Sequence, residues 1–169
     1  MTKIIGAVLI ILSCSGIGAS IVAAHRKQEH ALGQFLRGLE YMICELQYRM
    51  TPLPELCLNT GALCSGCVGA VFTDLSAELT AQIAPDAATC MRAALSGYSS
   101  IPGKLQTCFL ELGASLGRFD LQGQIMGLEA VKRQTELELY HMQDRKDVRL
   151  RSYQTLGVCA GAALVVLFL

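Results

Sequence analysis

Charged side chains are scarce in this sequence, at 17% of its 169 residues, against about 25% in an ordinary globular chain. Lysine and arginine number 14 and so do aspartate and glutamate, which leaves a formal net charge of zero. No long basic or acidic tract stands out, so nucleic acid is excluded as a partner for want of an electrostatic footprint. The middle of the chain also lacks strand-type alternation, internal repeats and low-complexity linkers. Of its 4 prolines, none follows Pro102, so no proline interrupts a helix in the last third of the chain. What the sequence has in excess is apolarity. At 52% hydrophobic residues, it is too apolar for one soluble domain of this size.

The excess sits at the two ends. Ile4 to Ala24 is a run of 21 residues without a charge, enough at about 1.5 Å per residue to cross a hydrocarbon core roughly 30 Å thick. It exceeds the roughly 7–15 apolar residues of a signal peptide, although Gly18-Ala19-Ser20 imitates a cleavage site. An uncleaved span is therefore expected over 1–25. Ser152 to Leu169 gives 18 uncharged residues, or about 27 Å as a helix. Its strictly apolar part, Leu156 to Leu169, is 14 residues, a length also typical of a buried core helix. A core helix would have to hide Val165 to Leu169 at a chain end, where fraying is usual. A short span over 152–169 needs no such shelter, with Arg149 and Arg151 snorkelling and Tyr153 at headgroup level.

His25-Arg26-Lys27 follows the first span, and Arg145, Lys146, Arg149 and Arg151 precede the second, while only Lys3 lies outside them. The positive-inside rule then assigns the middle of the chain to the cytoplasm. Each span carries a small-residue face, Gly16 with Ser20 and Gly157 with Gly161, of the kind that lets helix backbones approach in lipid.

Between the spans, residues 26–151 read as helices. Leu32, Phe35, Leu36, Leu39, Ile43, Leu46 and Met50 recur at spacings of three and four, the pattern of an amphipathic helix. Thr51-Pro52-Leu53-Pro54-Glu55 stops it, and a second helix is expected over about Pro54–Leu63, weakened or ended by Gly61 and Ser65-Gly66. A third is expected over Val68–Ile83, a fourth over Ala87–Leu95 with Asp86 at its start, and a fifth over about Gly103–Leu116. Gly117 breaks the pattern and Asp120 suits the N-cap of a sixth and longest helix. On that helix Leu121, Ile125, Leu128, Val131, Thr135, Leu139 and Met142 form an apolar stripe. The expected architecture is all-α: a compact bundle of about six helices flanked by an N-terminal and a C-terminal transmembrane helix.

Few residues offer chemistry. Among the 8 cysteines only Cys64-Ser65-Gly66-Cys67 has metal-ligand or redox spacing. A structural zinc site wants a second close pair, and a thioredoxin-type motif wants a βαβ context. Neither is present, so reduced and partly buried thiols are expected, with no metal and no cofactor. His25, His30 and His141 share no local spacing. Gly103-Lys104 lacks the preceding glycine and following hydroxyl of a phosphate loop. Glu136, Glu138 and Asp144 read as a solvated helix face. No catalytic set emerges.

Two segments nevertheless resemble a known family. LEYMICELQYRMTPLPEL (Leu39–Leu56) looks like the segment joining the first two cytosolic helices of the stage III sporulation protein AB family. LGRFDLQGQ (Leu116–Gln124) resembles the start of that family's last long helix, and Leu156-Gly157 fits the beginning of its terminal span. The resemblance covers essentially the whole chain, and the TPLPE segment is its most specific part. Carried over by position, Thr51, Pro52, Leu53, Pro54 and Glu55 fix a sharp inter-helix turn. Gly117 and Asp120 shape and cap the final helix, with Gln124 one turn inside it. These roles are structural.

The resemblance implies a non-enzymatic subunit of the sporulation complex, in the mother-cell membrane around the forespore, with a bundle similar to the platform-protein domain of type II secretion. It implies a cytosolic ATPase, stage III sporulation protein AA, as neighbour, with the other AA–AH proteins and forespore protein Q nearby. Three function classes thus stand side by side. They are a membrane-anchored scaffold coupling that motor to a transenvelope channel, a thiol redox or metal protein using Cys64 and Cys67, and a two-span signalling subunit.

Overall fold

Helix α1 of the computed structural model spans Thr2–Tyr48, followed by α2 (Leu53–Leu63), α3 (Gly66–Ala81), α4 (Ala87–Ser96), α5 (Gly103–Ser115) and α6 (Leu121–Phe168). The structure describes the backbone of residues 2–117 and 120–168 and the side chains of 23–117 and 120–144. Among the described residues there is no strand, so the all-helical expectation holds. The chain divides into two units, Gln28–Leu139 and the pair of terminal stretches Met1–Lys27 and Tyr140–Leu169. Among the described residues no helix is long and apolar enough to cross a membrane. Residues 1–22 of the first expected span and all of the second, with Gly16, Ser20, Gly157 and Gly161, lie outside the residues whose side chains are described.

The unit Gln28–Leu139 is built around three phenylalanine rings from α1, α3 and α5. Phe35 meets Phe109 edge-on at 4.7 Å, Phe72 meets Phe109 edge-on at 5.4 Å, and Phe35 stacks on Phe72 at 6.1 Å. All three are fully buried. Such pairs add about 0.5–1.5 kcal/mol each beyond the burial of their area. Leu32, Leu39 and Met42 of α1, Leu75 of α3, Met91 of α4 and Leu112 of α5 pack the same interior. From α6 it receives Leu128, Val131 and Thr135. The threonine hydroxyl donates to the Val131 carbonyl at 2.8 Å, which satisfies a polar group with no access to water.

Helix boundaries follow the local chemistry with three corrections. Met50 does not extend the apolar stripe of α1. It lies beyond the helix in a left-handed conformation (φ 52°) with its side chain exposed. The third helix stops at Ala81 and is closed by Gln82, also left-handed (φ 52°), which leaves Ile83 outside the helix and exposed. Gly61 neither ends nor weakens α2. It is buried inside the helix, where α2 and α3 cross too closely for a side chain: a Cβ there would lie 2.6 Å from the Thr73 hydroxyl. Gly113 serves the crossing of α5 on α4 in the same way, since its Cβ would lie 2.7 Å from that of Met91.

Candidate functional site

The junction between α1 and α2 is organised by Glu45, a residue that the spacing of the TPLPE segment does not point to. Its Oε2 accepts the Thr51 hydroxyl at 2.9 Å, and its Oε1 lies 3.5 Å from Nη1 of Arg49. The Tyr41 hydroxyl bonds to the same carboxylate, and its pKa is raised by desolvation first and by the Glu45 charge second. The Glu45 carbonyl accepts from the backbone N–H groups of Arg49 and Met50 at 2.8 and 3.0 Å, closing the end of α1. Arg49 is largely exposed, so its ion pair contributes little. The hydrogen bond across the turn is the stronger restraint.

Pro52 then occupies the N-cap position of α2 with φ −57°, and its carbonyl accepts the Leu56 N–H at 2.9 Å. Proline suits this place because the first helical turn has no intrahelical acceptor for its missing N–H. Leu53 and Pro54 open the helix half-buried, and Glu55 is exposed in its first turn, where a carboxylate favours the helix dipole. Ser76 of α3 donates to the Pro54 carbonyl at 2.7 Å. The segment is therefore tied on one side to α1 and on the other to α3.

The second quoted segment begins where Leu116 caps α5 through its N–H to the Leu112 carbonyl at 3.1 Å. Gly117 follows with φ +71°, a left-handed conformation that glycine adopts without a Cβ penalty. Asp120 Oδ1 accepts the Gly123 N–H at 3.1 Å, and its carbonyl accepts the Gln124 N–H at 2.9 Å. That is the geometry of a side-chain N-cap on α6. Asp86, by contrast, precedes α4 without a side-chain bond to the backbone, and its carboxylate takes the Thr89 hydroxyl instead.

The thiols form no reactive cluster. All six cysteines with described side chains are free, and among the described residues no group of three or more His, Cys, Asp or Glu could hold a metal ion. Cys64 is buried, its thiol donates to the Gln34 carbonyl at 3.3 Å, and Gln34 Oε1 accepts the N–H of Ser65 at 3.1 Å. Burial pushes the Cys64 thiol up, opposed by Arg37. Cys67 is half-buried and Cys44 is exposed. Cys57, with no charge to oppose burial, is pushed up to about 12. Redox and ligand chemistry need a thiolate, and burial disfavours one at Cys64 and at Cys57. His25, His30 and His141 are all exposed.

The residues singled out in the sequence thus separate into two helix junctions, at Thr51–Glu55 and Gly117–Gln124, and a thiol pair on the α2–α3 connection. Glu45, Ser76 and Gln34 were not legible beforehand, because their partners stand 6 to 31 residues away with no motif to link them.

Together these features define an all-α bundle whose distinguishing residues shape turns. The fold is shared with a solved structure titled "Stage III sporulation protein AB (SpoIIIAB)", at a TM-score of 0.64 and 17% identity over 72% of this chain and 98% of that one. No curated protein matches the sequence. The profile of the family described as Stage III sporulation protein AB matches residues 3–169. The chain belongs to that family.

Proposed function

We propose that the protein is a non-enzymatic, membrane-anchored platform subunit of the sporulation channel complex. It sits in the mother-cell membrane around the forespore, with Gln28–Leu139 in the cytoplasm. There the bundle couples the cytosolic ATPase, stage III sporulation protein AA, to the transenvelope apparatus that sustains the forespore. The other AA–AH proteins and forespore protein Q are its wider partners, and lipid surrounds its two ends. Family membership over residues 3–169 is the observation that carries this reading. The uncharged terminal runs and their basic inner flanks support the anchoring. A bundle whose distinguishing residues build turns is suited to holding other proteins in place, and the burial of Cys64 weighs against the thiol redox alternative.

The test is co-purification of the tagged full-length chain with the ATPase from sporulating cells under mild detergent. Recovery of the ATPase with the tagged chain, and its loss when the bundle is deleted, is the expected result. An ATPase that never accompanies the chain, including after cross-linking, overturns the coupling role.

A further inference from the structure

Zero net charge conceals an uneven division. Residues 28–139 carry 12 carboxylates against 7 basic side chains, whereas the two terminal stretches carry 7 basic against 2 acidic. Within this unit α6 contributes Glu129, Glu136 and Glu138 against Lys132 and Arg133. Lys132 Nζ lies 2.9 Å from Glu40 and 3.9 Å from Glu136, and Glu129 also acts on it. Three carboxylates therefore surround one ammonium.

Beside these carboxylates runs an outward seam. Because Leu128, Val131 and Thr135 face the core, Met126, Ala130, Arg133 and Leu137 point to solvent at spacings of four, three and four. Met126 is 64% and Leu137 58% exposed. This is the spacing of a coiled-coil seam, with Glu129 and Glu136 seven residues apart along one edge, where flanking charges select the partner.

We propose that this face of α6 docks one amphipathic helix of another protein, with an apolar seam edged by lysine or arginine. The inference rests on the platform reading and names a contact surface for it. A second copy of the chain fits poorly. Parallel pairing sets Arg133 against Arg133, and the antiparallel pairing that brings Leu137 opposite Arg133 sets Glu136 against Glu136. Like charges directly opposed disfavour both, whereas a basic edge meets Glu129 and Glu136 and relieves the crowding around Lys132. A seam of about three turns buries less than the roughly 1,200 Å² of a stable interface, so affinity is of micromolar order.

The full-length chain is placed in nanodiscs of zwitterionic lipid, with empty discs as blank. Two synthetic helical peptides share a leucine seam, one edged with lysine and the other with glutamate at the same positions. Fluorescence anisotropy is expected to show the lysine peptide binding at least about tenfold tighter, with the preference fading at high salt. Leu137→Glu abolishes that binding, and Glu129→Lys with Glu136→Lys transfers the preference to the glutamate peptide. These positions are exposed, and circular dichroism of each variant checks that the fold is kept. Equal binding of the two peptides, or a preference that survives the double charge reversal, overturns the proposal. So does a concentration-dependent dimer of the full chain that Leu137→Glu dissolves, which assigns the face to a second copy. A chain that discriminates the peptides but never co-purifies with the ATPase keeps this inference and overturns the coupling role.

Discussion

A Cβ placed on Gly69 would lie 2.3 Å from the carbonyl oxygen of Cys64. The same atom would stand 2.7 Å from the Gly61 carbonyl, so both obstacles are backbone and neither can rotate away. Gly69→Ala gains up to about 1 kcal/mol of helix propensity, but it must push α2 and α3 apart at a cost of about 1–3 kcal/mol or more. The clash wins, and net destabilisation of about 2 kcal/mol is expected in thermal unfolding of the full-length chain. Gly33 on α1 supplies the control. Nothing lies within 4 Å of its virtual Cβ, so Gly33→Ala should stabilise by up to about 1 kcal/mol. Two substitutions of the same kind with the same sign would refute the crossing argument.

Gln82 closes α3 with φ 52° and ψ 28° and has an exposed side chain. A left-handed conformation costs a non-glycine residue roughly 1–2 kcal/mol, while glycine loses part of that gain to its freer unfolded state. Gln82→Gly should therefore raise stability by about 0.5–1 kcal/mol, read as a higher unfolding midpoint. A lower midpoint would mean that the glutamine side chain has a role its exposure does not suggest.

Elements governed by neighbours in sequence were legible from the sequence. Pro52 and Pro54 mark the α1–α2 turn, Gly117 and Asp120 the start of α6, and the three-and-four spacing from Leu32 to Leu46 the buried face of α1. Each depends on backbone chemistry within a few residues. The α2–α3 crossing was not legible, because a glycine inside a helix reads as a weak point until the second helix passes over it. Ser76 on Pro54 and Gln34 on Cys64 join residues 22 and 30 apart, and no local rule selects such pairs. The outward seam of α6 was hidden for a further reason: its charges read as an ordinary solvated face until the burial of Leu128, Val131 and Thr135 fixes which side is free.

The Asp120 cap predicts a local effect. Asp120→Ala removes the acceptor for the Gly123 N–H, and loss of such caps costs about 1 kcal/mol. Asp120→Ser should restore most of it, since a hydroxyl also caps. Hydrogen exchange should quicken at Gly123 and Gln124 in the alanine variant and leave the α2–α3 crossing unchanged. Equal loosening of both regions would show that the substitution acts globally and not through the cap.

Cys57 predicts the response to alkali. Burial moves its thiol from 9.0 to about 12, so between those values the folded chain keeps a proton that the unfolded chain releases. A group with a raised folded pKa contributes stability that is whole below the unfolded value and is lost as pH rises through the folded one. The unfolding midpoint should therefore fall as pH rises above about 9, and Cys57→Ala should flatten that fall while lowering stability at neutral pH. Iodoacetamide at pH 8 should label exposed Cys44 in the native chain and reach Cys57 only after unfolding. Native labelling of Cys57 at the rate of Cys44 would contradict its burial.

Cys64 and Cys67 separate a structural role from a chemical one. Cys64→Ala leaves the Gln34 carbonyl without the thiol that it accepts from and opens space in a packed site, at a cost of about 1–2 kcal/mol. Cys64→Ser keeps a donor for that carbonyl and should recover part of the loss. Cys67→Ala, at a half-buried position, should stay within about 0.5 kcal/mol of the parent. A redox or ligand pair behaves otherwise, because either serine variant alone abolishes its activity whatever the stability. The double replacement by serine should therefore leave the fold, the metal content of the purified chain and sporulation close to those of the parent. A sporulation defect in that variant without a matching loss of stability would return Cys64 and Cys67 to the list of chemically active groups.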